Sequence, residues 1–168
     1  MAKNPIYVIH YHPAIVERQN YIANVDLSPY GLAGQFEQLW LRPVGDGLFE
    51  LTCIPFCVYG LSLLDQVTVT SDGRFVNTIA KKSDRRVLRI LLMDSLGSRL
   101  NDLRAAIDAE LRRLILSSEW QGEKHVVIDV ANEVDLAVVF SLVGPLADDG
   151  DAHWEWGDAL AFVPPLTG

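Results

Sequence analysis

The chain predicts an α+β fold: a small antiparallel sheet or partial barrel followed by a ferredoxin-like βαβαβ half. Three observations predict it. Glycine-containing turns at Gly45-Asp46-Gly47 and Ser71-Asp72-Gly73 join short alternating segments in the first half. Apolar residues spaced three or four apart, Leu96, Leu100, Leu103, Ile107, Leu111 and Leu114, mark one long helix in the second. β-Branched runs at 87–93 and 125–130 frame that helix. We therefore divide the chain into a β-rich half, residues 1–84, and a βαβαβ half, residues 85–168, expected to share one core.

Taken in order, residues 36–42 alternate, with Phe36, Gln38, Trp40 and Arg42 on one side and Glu37, Leu39 and Leu41 on the other. The Gly45-Asp46-Gly47 turn leads into a partner strand over 48–54, making a hairpin. Pro55 and Gly60 interrupt the pattern before strands 66–70 and 74–79 flank Asp72-Gly73, a strong hairpin signal. Four short antiparallel strands with no helical stretch read as a curled sheet. Beyond strand 87–93, Asp94 or Ser95 is placed to cap the long helix. Its polar face carries Arg99, Asp102, Asp108, Arg112 and Arg113, with Asp108 and Arg112 spaced for an i,i+4 pair. Strand 125–130 is apolar on both sides and expected to be covered on both. Asn132 caps a second helix over 133–143, apolar nearly all round, hence expected to be largely buried, and stopped by Gly144-Pro145. A last strand, 152–156, sets Trp154 and Trp156 on one face and His153 and Glu155 on the other.

The hydrophobic fraction of 49% with 21% charged residues is that of a chain able to bury a core. Its 22 acidic against 14 basic residues give a net charge of -8, which repels phosphate backbones and anionic membrane surfaces. Nucleic acid and membrane are therefore not expected as partners, and a basic protein is the partner that this charge suits. The two cysteines, Cys53 and Cys57, would stand roughly 13 Å apart along an extended segment, beyond disulfide reach, and read as reduced core thiols. Met1-Ala2-Lys3-Asn4-Pro5 opens no export signal, and the longest uncharged run, 51–64, is too short to span a bilayer. A cytoplasmic location is expected.

No Gly-x-Ser-x-Gly elbow, glycine-rich phosphate loop or basic-aromatic cluster is present, so no catalytic residue is assigned and no cofactor is expected. His10 and His12 would project from the same face of a strand, a spacing that also occurs in metal sites, but no third ligand is identifiable by spacing. Asp148-Asp149-Gly150-Asp151 lacks the further oxygen ligands of a calcium loop and reads as a turn. Cys57 is open as a nucleophile only if some distant group lowers its pKa. Trp40, Trp154 and Trp156 are candidates to line an apolar groove for a partner. Glu37, Arg89, His125 and His153 are the polar groups expected to meet if the two halves enclose a cleft.

Glu37-Gln38-Leu39-Trp40, Ile54-Pro55-Phe56, Gly60 followed by Asp65-Gln66-Val67, and Arg86-Val87-Leu88-Arg89 together resemble the bacterial family called domain of unknown function 4265. The resemblance runs over roughly residues 37 to 90 and fades beyond, and the first 35 residues depart from the family's usual opening strand. It implies no activity. At these positions Pro55 ends a strand, Gly60 permits an unusual φ and Asp65 caps a turn. The expected function is a non-enzymatic, protein-binding module of immunity-like or regulatory kind. The alternatives are an enzyme or small-ligand binder using a cleft between the halves, and metal binding through His10 and His12.

Overall fold

The computed structural model describes residues 4–166 and has an α+β architecture of two sheets and two α-helices. The reading of Met1-Ala2-Lys3 as the start of a chain without an export signal lies outside the described residues. Strands β1 (Ile6–Ile9), β2 (Tyr21–Asp26), β3 (Gln35–Gly45), β4 (Leu48–Leu51), β5 (Gln66–Val69) and β6 (Val76–Lys81) form the first sheet. Strands β7 (Arg86–Leu92), β8 (Ser118–Gln121), β9 (His125–Val130) and β10 (Ala152–Trp156), with helices α1 (Leu100–Arg113) and α2 (Ala137–Asp148), form the second unit.

Both expected hairpins are present. β3 pairs with β4 and β5 with β6, all antiparallel, with Gly45 and Gly73 at positive φ in the turns. The sheet is larger than the four strands expected: β1 adds to β3 in parallel and β2 adds to it antiparallel. It curls until Phe75, just before β6, reaches β2 through a single bridge to Asn24, without closing a barrel. The alternation in β3 holds as read, with Glu37, Leu39 and Leu41 buried on the inner face.

The second sheet has the order β10-β7-β9-β8, every pair antiparallel, and the chain path is βαββαβ. That is the ferredoxin-like split unit with one strand more than the expected βαβαβ. The extra strand, β8, turns into β9 through Gly122 at φ 63. Both helices lie on one face, where Ile107 and Leu111 of α1 and Val139 and Val143 of α2 pack on Leu88, Ile90, Val126 and Ile128.

The helices differ in detail from expectation. A short 3-10 turn, Asp94–Arg99, precedes α1, because Gly97 adopts φ 52 and breaks the helical run. Asp108 accepts a hydrogen bond from Trp120 Nε1 at 2.9 Å, and the ion pair on α1 joins Arg113 to Glu110 instead of Arg112 to Asp108. α2 starts later and continues through Gly144-Pro145. Pro145 cannot donate to the Ser141 carbonyl, but both residues face solvent, where the freed carbonyl can be hydrated. α2 buries only the Val139 and Val143 stripe and leaves Val138 exposed, so it is a half-covered helix and not a largely buried one.

The first core reaches across to the second sheet through Val87 and Val127. The chain end then returns over the first half: Gly60 N–H donates to Gly157 O, Phe162 packs on the first core and Val163 N–H donates to Tyr30 Oη. Gly60 stands at φ 74, and a Cβ there would lie 2.3 Å from the Phe162 backbone nitrogen. Gly60→Ala is accordingly expected to lower stability by about 2 kcal/mol or more, read as a fall in the urea midpoint.

Candidate functional site

Three buried polar side chains meet between the sheets. The alternation of β3 turns Glu37 inward beside Leu39 and Leu41. The segment after β4 then passes over it, and Pro55 has no N–H to offer a ladder. The next three residues turn their N–H groups onto the carboxylate: Phe56 to Oε1 at 2.6 Å, Cys57 and Val58 to Oε2 at 2.8 and 2.9 Å. Glu119, on β8, accepts the N–H of Ala14 at 2.9 Å and of Ile54 at 2.7 Å. His10 lies between the two acids, with Nε2 2.9 Å from Glu37 and Nδ1 2.6 Å from Glu119, and stacks on Phe56 at 4.4 Å.

Burial by itself would lower the His10 pKa. The adjacent Cys53 sulfur and the hydrogen bonds to Glu119 and Glu37 outweigh it and hold the imidazole well above its ordinary value. Burial likewise pushes the Glu37 carboxyl up, yet the bond to and charge of His10, with the Cys57 and Phe56 N–H groups, bring it below the usual range. An imidazolium that donates from both nitrogens satisfies this geometry. The cluster is sealed, with side-chain exposure of 0% for His10 and Glu37 and 2% for Glu119. It joins the N-terminal segment, the first sheet and the second sheet, and gives a substrate no entry.

The face of the second sheet opposite its helices is unusually polar. In register across it run His153, Leu91, His125 and Gln121, and beside them Glu155, Arg89, Val127 and Glu119. Arg89 donates to the carbonyls of Cys57 and Val58 and to Glu155, and lies 4.5 Å over the Tyr59 ring. Tyr59 Oη donates to the Glu155 carboxylate at 2.7 Å. Burial, then the charge of Arg89, depress His125 to about 4, and its Nδ1 lies 3.1 Å from Gln121 Oε1. Arg89, Leu91, His125, His153, Trp154 and Glu155 together line a hollow of about 210 Å³.

A second surface is apolar. On the outer face of the first sheet the register puts Tyr7 beside Phe36, Ile9 beside Gln38 and Ile22 beside Trp40. Tyr7, Ile9 and Ile22 are 44%, 38% and 41% exposed.

The structure thus gathers Arg89, His125 and His153 at one hollow, with Glu37 sealed beneath the Cys57 and Val58 loop that Arg89 holds. Trp40, Trp154 and Trp156 share no groove. Trp40 lies on the outer face of the first sheet and donates to His10 O, Trp154 meets Phe140 edge-on, and Trp156 carries Arg86 over its ring at 3.9 Å. His10 and His12 do not share a strand face, because β1 ends at Ile9 and the chain bends, sending His10 inward and leaving His12 exposed. Both ring nitrogens of His10 are engaged by carboxylates. Cys53 and Cys57 are free thiols, and burial with the nearby Glu37 charge pushes Cys57 up to about 12, the reverse of an activated nucleophile. Asp151 accepts from Ser95 and Arg99, tying the acidic turn to the start of the helical segment. Among the described residues no cluster of three metal-ligating side chains is present.

Glu119 and Glu155 escape sequence reading. Glu119 lies on the unexpected β8, and its partner His10 is 109 residues away, so no local spacing could mark the pair. The alternating Glu119, Gln121 and the following Gly122 are the signal that could have revealed that strand.

The model of the family described as Domain of unknown function (DUF4265) matches residues 37–154. The chain belongs to that family. The match extends through the βαββαβ unit, well past residue 90, where the sequence resemblance fades, and it takes in Glu37, Arg89, Glu119, His125, His153 and Trp154. No curated protein matches. The crystal structure of a hypothetical protein from Neisseria gonorrhoeae is similar over 97% of this chain and 99% of that one, with a TM-score of 0.57 and 14% identity. At that identity the likeness concerns the fold alone.

Proposed function

We propose that this member of the family is a non-enzymatic module that binds another protein through the outer face of its first sheet, in an immunity-like or regulatory role. The observation that carries the reading is the group of half-exposed apolar side chains Tyr7, Ile9 and Ile22, which share the outer face with Phe36 and Trp40 around Gln38 and Asn24. Apolar side chains grouped on a strand face are the usual anchors of protein interfaces. β1 is also an edge strand, so its free backbone side can extend the contact. The net charge of -8, and Asp26 beside Phe36 on the same face, suit a partner with apolar anchors and a basic rim. The sealed His10 cluster and the Cys57 thiol held up to about 12 support the non-enzymatic part of the reading. Among the described residues no helix is long and apolar enough to cross a membrane. Two free thiols are in keeping with a cytoplasmic location.

The test is capture of a partner from native lysate with the wild type and with the double variant Ile9→Glu, Ile22→Glu. A stoichiometric basic partner held by the wild type, with affinity at least tenfold lower in a variant that keeps its melting temperature, is the expected result. Equal capture by both proteins, or no stoichiometric partner at all, rejects the reading.

A second reading is a small-ligand site in the junction hollow. It is favoured by the convergence of Arg89, His125, His153 and Glu155 on one opening. At about 210 Å³ the hollow is smaller than ordinary metabolite pockets, and its size suits a single side chain or a fragment.

A further inference from the structure

We propose that the junction hollow is a receptor for a basic side chain, an arginine or lysine presented by a partner. It rests on the hollow being a binding site and is independent of the outer sheet face.

Which of the lining groups remain free decides the chemistry of the ligand. Arg89 is the only lining cation that is permanently charged, and it is turned away from the opening: only 4% of its side chain is exposed, two carbonyls and Glu155 take its terminal N–H groups, Tyr59 lies under its plane, and its Nε is buried without a partner. Glu155 is the opposite case. Its side chain is 43% exposed, and beyond the Tyr59 hydroxyl and one Arg89 contact its oxygens keep lone pairs open to the hollow. His125 sets Nδ1 3.1 Å from the Gln121 amide oxygen, and in the neutral tautomer that donates there Nε2 keeps a lone pair. The depression of His125 to about 4 agrees with a neutral ring at physiological pH. Trp154 borders the hollow only at the edge strand β10, because its ring turns to the helix side and packs against Phe140.

An incoming group therefore meets a carboxylate and an imidazole ring, with the one fixed cation masked behind them. A chain of net charge -8 draws basic partners toward such a site. An acidic ligand would have to displace Glu155 or a backbone carbonyl to reach Arg89. A free metal ion would lack a third close ligand, since among the described residues no such cluster exists.

The test is titration of the full chain, followed by NMR of the His125 and His153 ring signals, with N-acetyl-arginine methylamide and separately with N-acetyl-glutamate methylamide. A single side chain on so small a site should bind with a Kd on the order of 1 mM. The expected result is saturable movement of those two signals with the arginine probe alone. Glu155→Gln keeps an oxygen for Tyr59 and Arg89 while removing the charge, and should weaken the arginine probe roughly tenfold with an unchanged melting temperature. No saturable movement with the arginine probe, movement of the same signals by the glutamate probe, or undiminished binding by Glu155→Gln would each overturn the proposal. Ile9→Glu, Ile22→Glu should bind the arginine probe like the wild type, which separates failure of the hollow from failure of the docking face.

Discussion

Replacing His10 with alanine is expected to lower folding free energy by about 3–5 kcal/mol, the range for removing one partner from a buried ion pair. The reason is what remains. Glu37 and Glu119 would face one another across an emptied site without the imidazolium that now lies 2.9 and 2.6 Å from them. Urea unfolding of the two proteins at neutral pH measures the difference.

The same cluster sets a pH profile with a definite sign. His10 has its folded pKa raised above its ordinary 6.5, so its contribution is full below that value and is lost as pH rises through the folded pKa. Glu37 has its folded pKa lowered from 4.5, so its contribution is full above that value and is lost as pH falls through the folded pKa. Their joint contribution is greatest between roughly pH 4.5 and 6.5 and declines on either side. In His10→Ala the alkaline decline disappears, and the deficit against wild type shrinks in acid as the two carboxyls take up protons. A wild-type urea midpoint that stays level from pH 6 to 10 would count against a charged His10.

Glu37→Ala is expected to be at least as damaging, at about 4 kcal/mol or more. It strands the Phe56, Cys57 and Val58 N–H groups and the His10 cation together, and each buried unmade bond costs about 1–3 kcal/mol. Glu37→Gln keeps one acceptor oxygen and should lose about half as much. Amide hydrogen exchange gives the specific readout. The protection of residues 56–58 should fall in Glu37→Gln before that of β7 or β9, since the second sheet keeps its own ladder. Unchanged protection at 56–58 would show that the carboxylate is not what holds this segment.

The hairpins were legible because their turns are local: Asp-Gly and Gly-Asp-Gly determine backbone φ within three residues. The alternation of β3 was equally plain, and it put Glu37 on the inner row. Its role was not legible, because a carboxylate in a core row acquires meaning only from donors elsewhere, one of them 27 residues away. β1, β2 and β8 are short strands of four to six residues, so their periodicity was too brief to register. Gly144-Pro145 reads as a helix stop but does not end α2, because a proline on the solvent side of a helix frees a carbonyl that water can satisfy.

By itself the sequence determined the α+β class, the inward row of β3, the long helix, the polar side of β10 and a net charge of -8. These follow from turn chemistry, side-chain periodicity and composition, which act over a few residues or over the whole chain at once. The tertiary structure alone decided that His10 would lie between Glu37 and Glu119, that Arg89 would be masked while Glu155 stayed open, and that Tyr7, Ile9 and Ile22 would share an outward face. Those outcomes depend on strand order and register, which are set when two sheets pack and buried polar groups must all find partners.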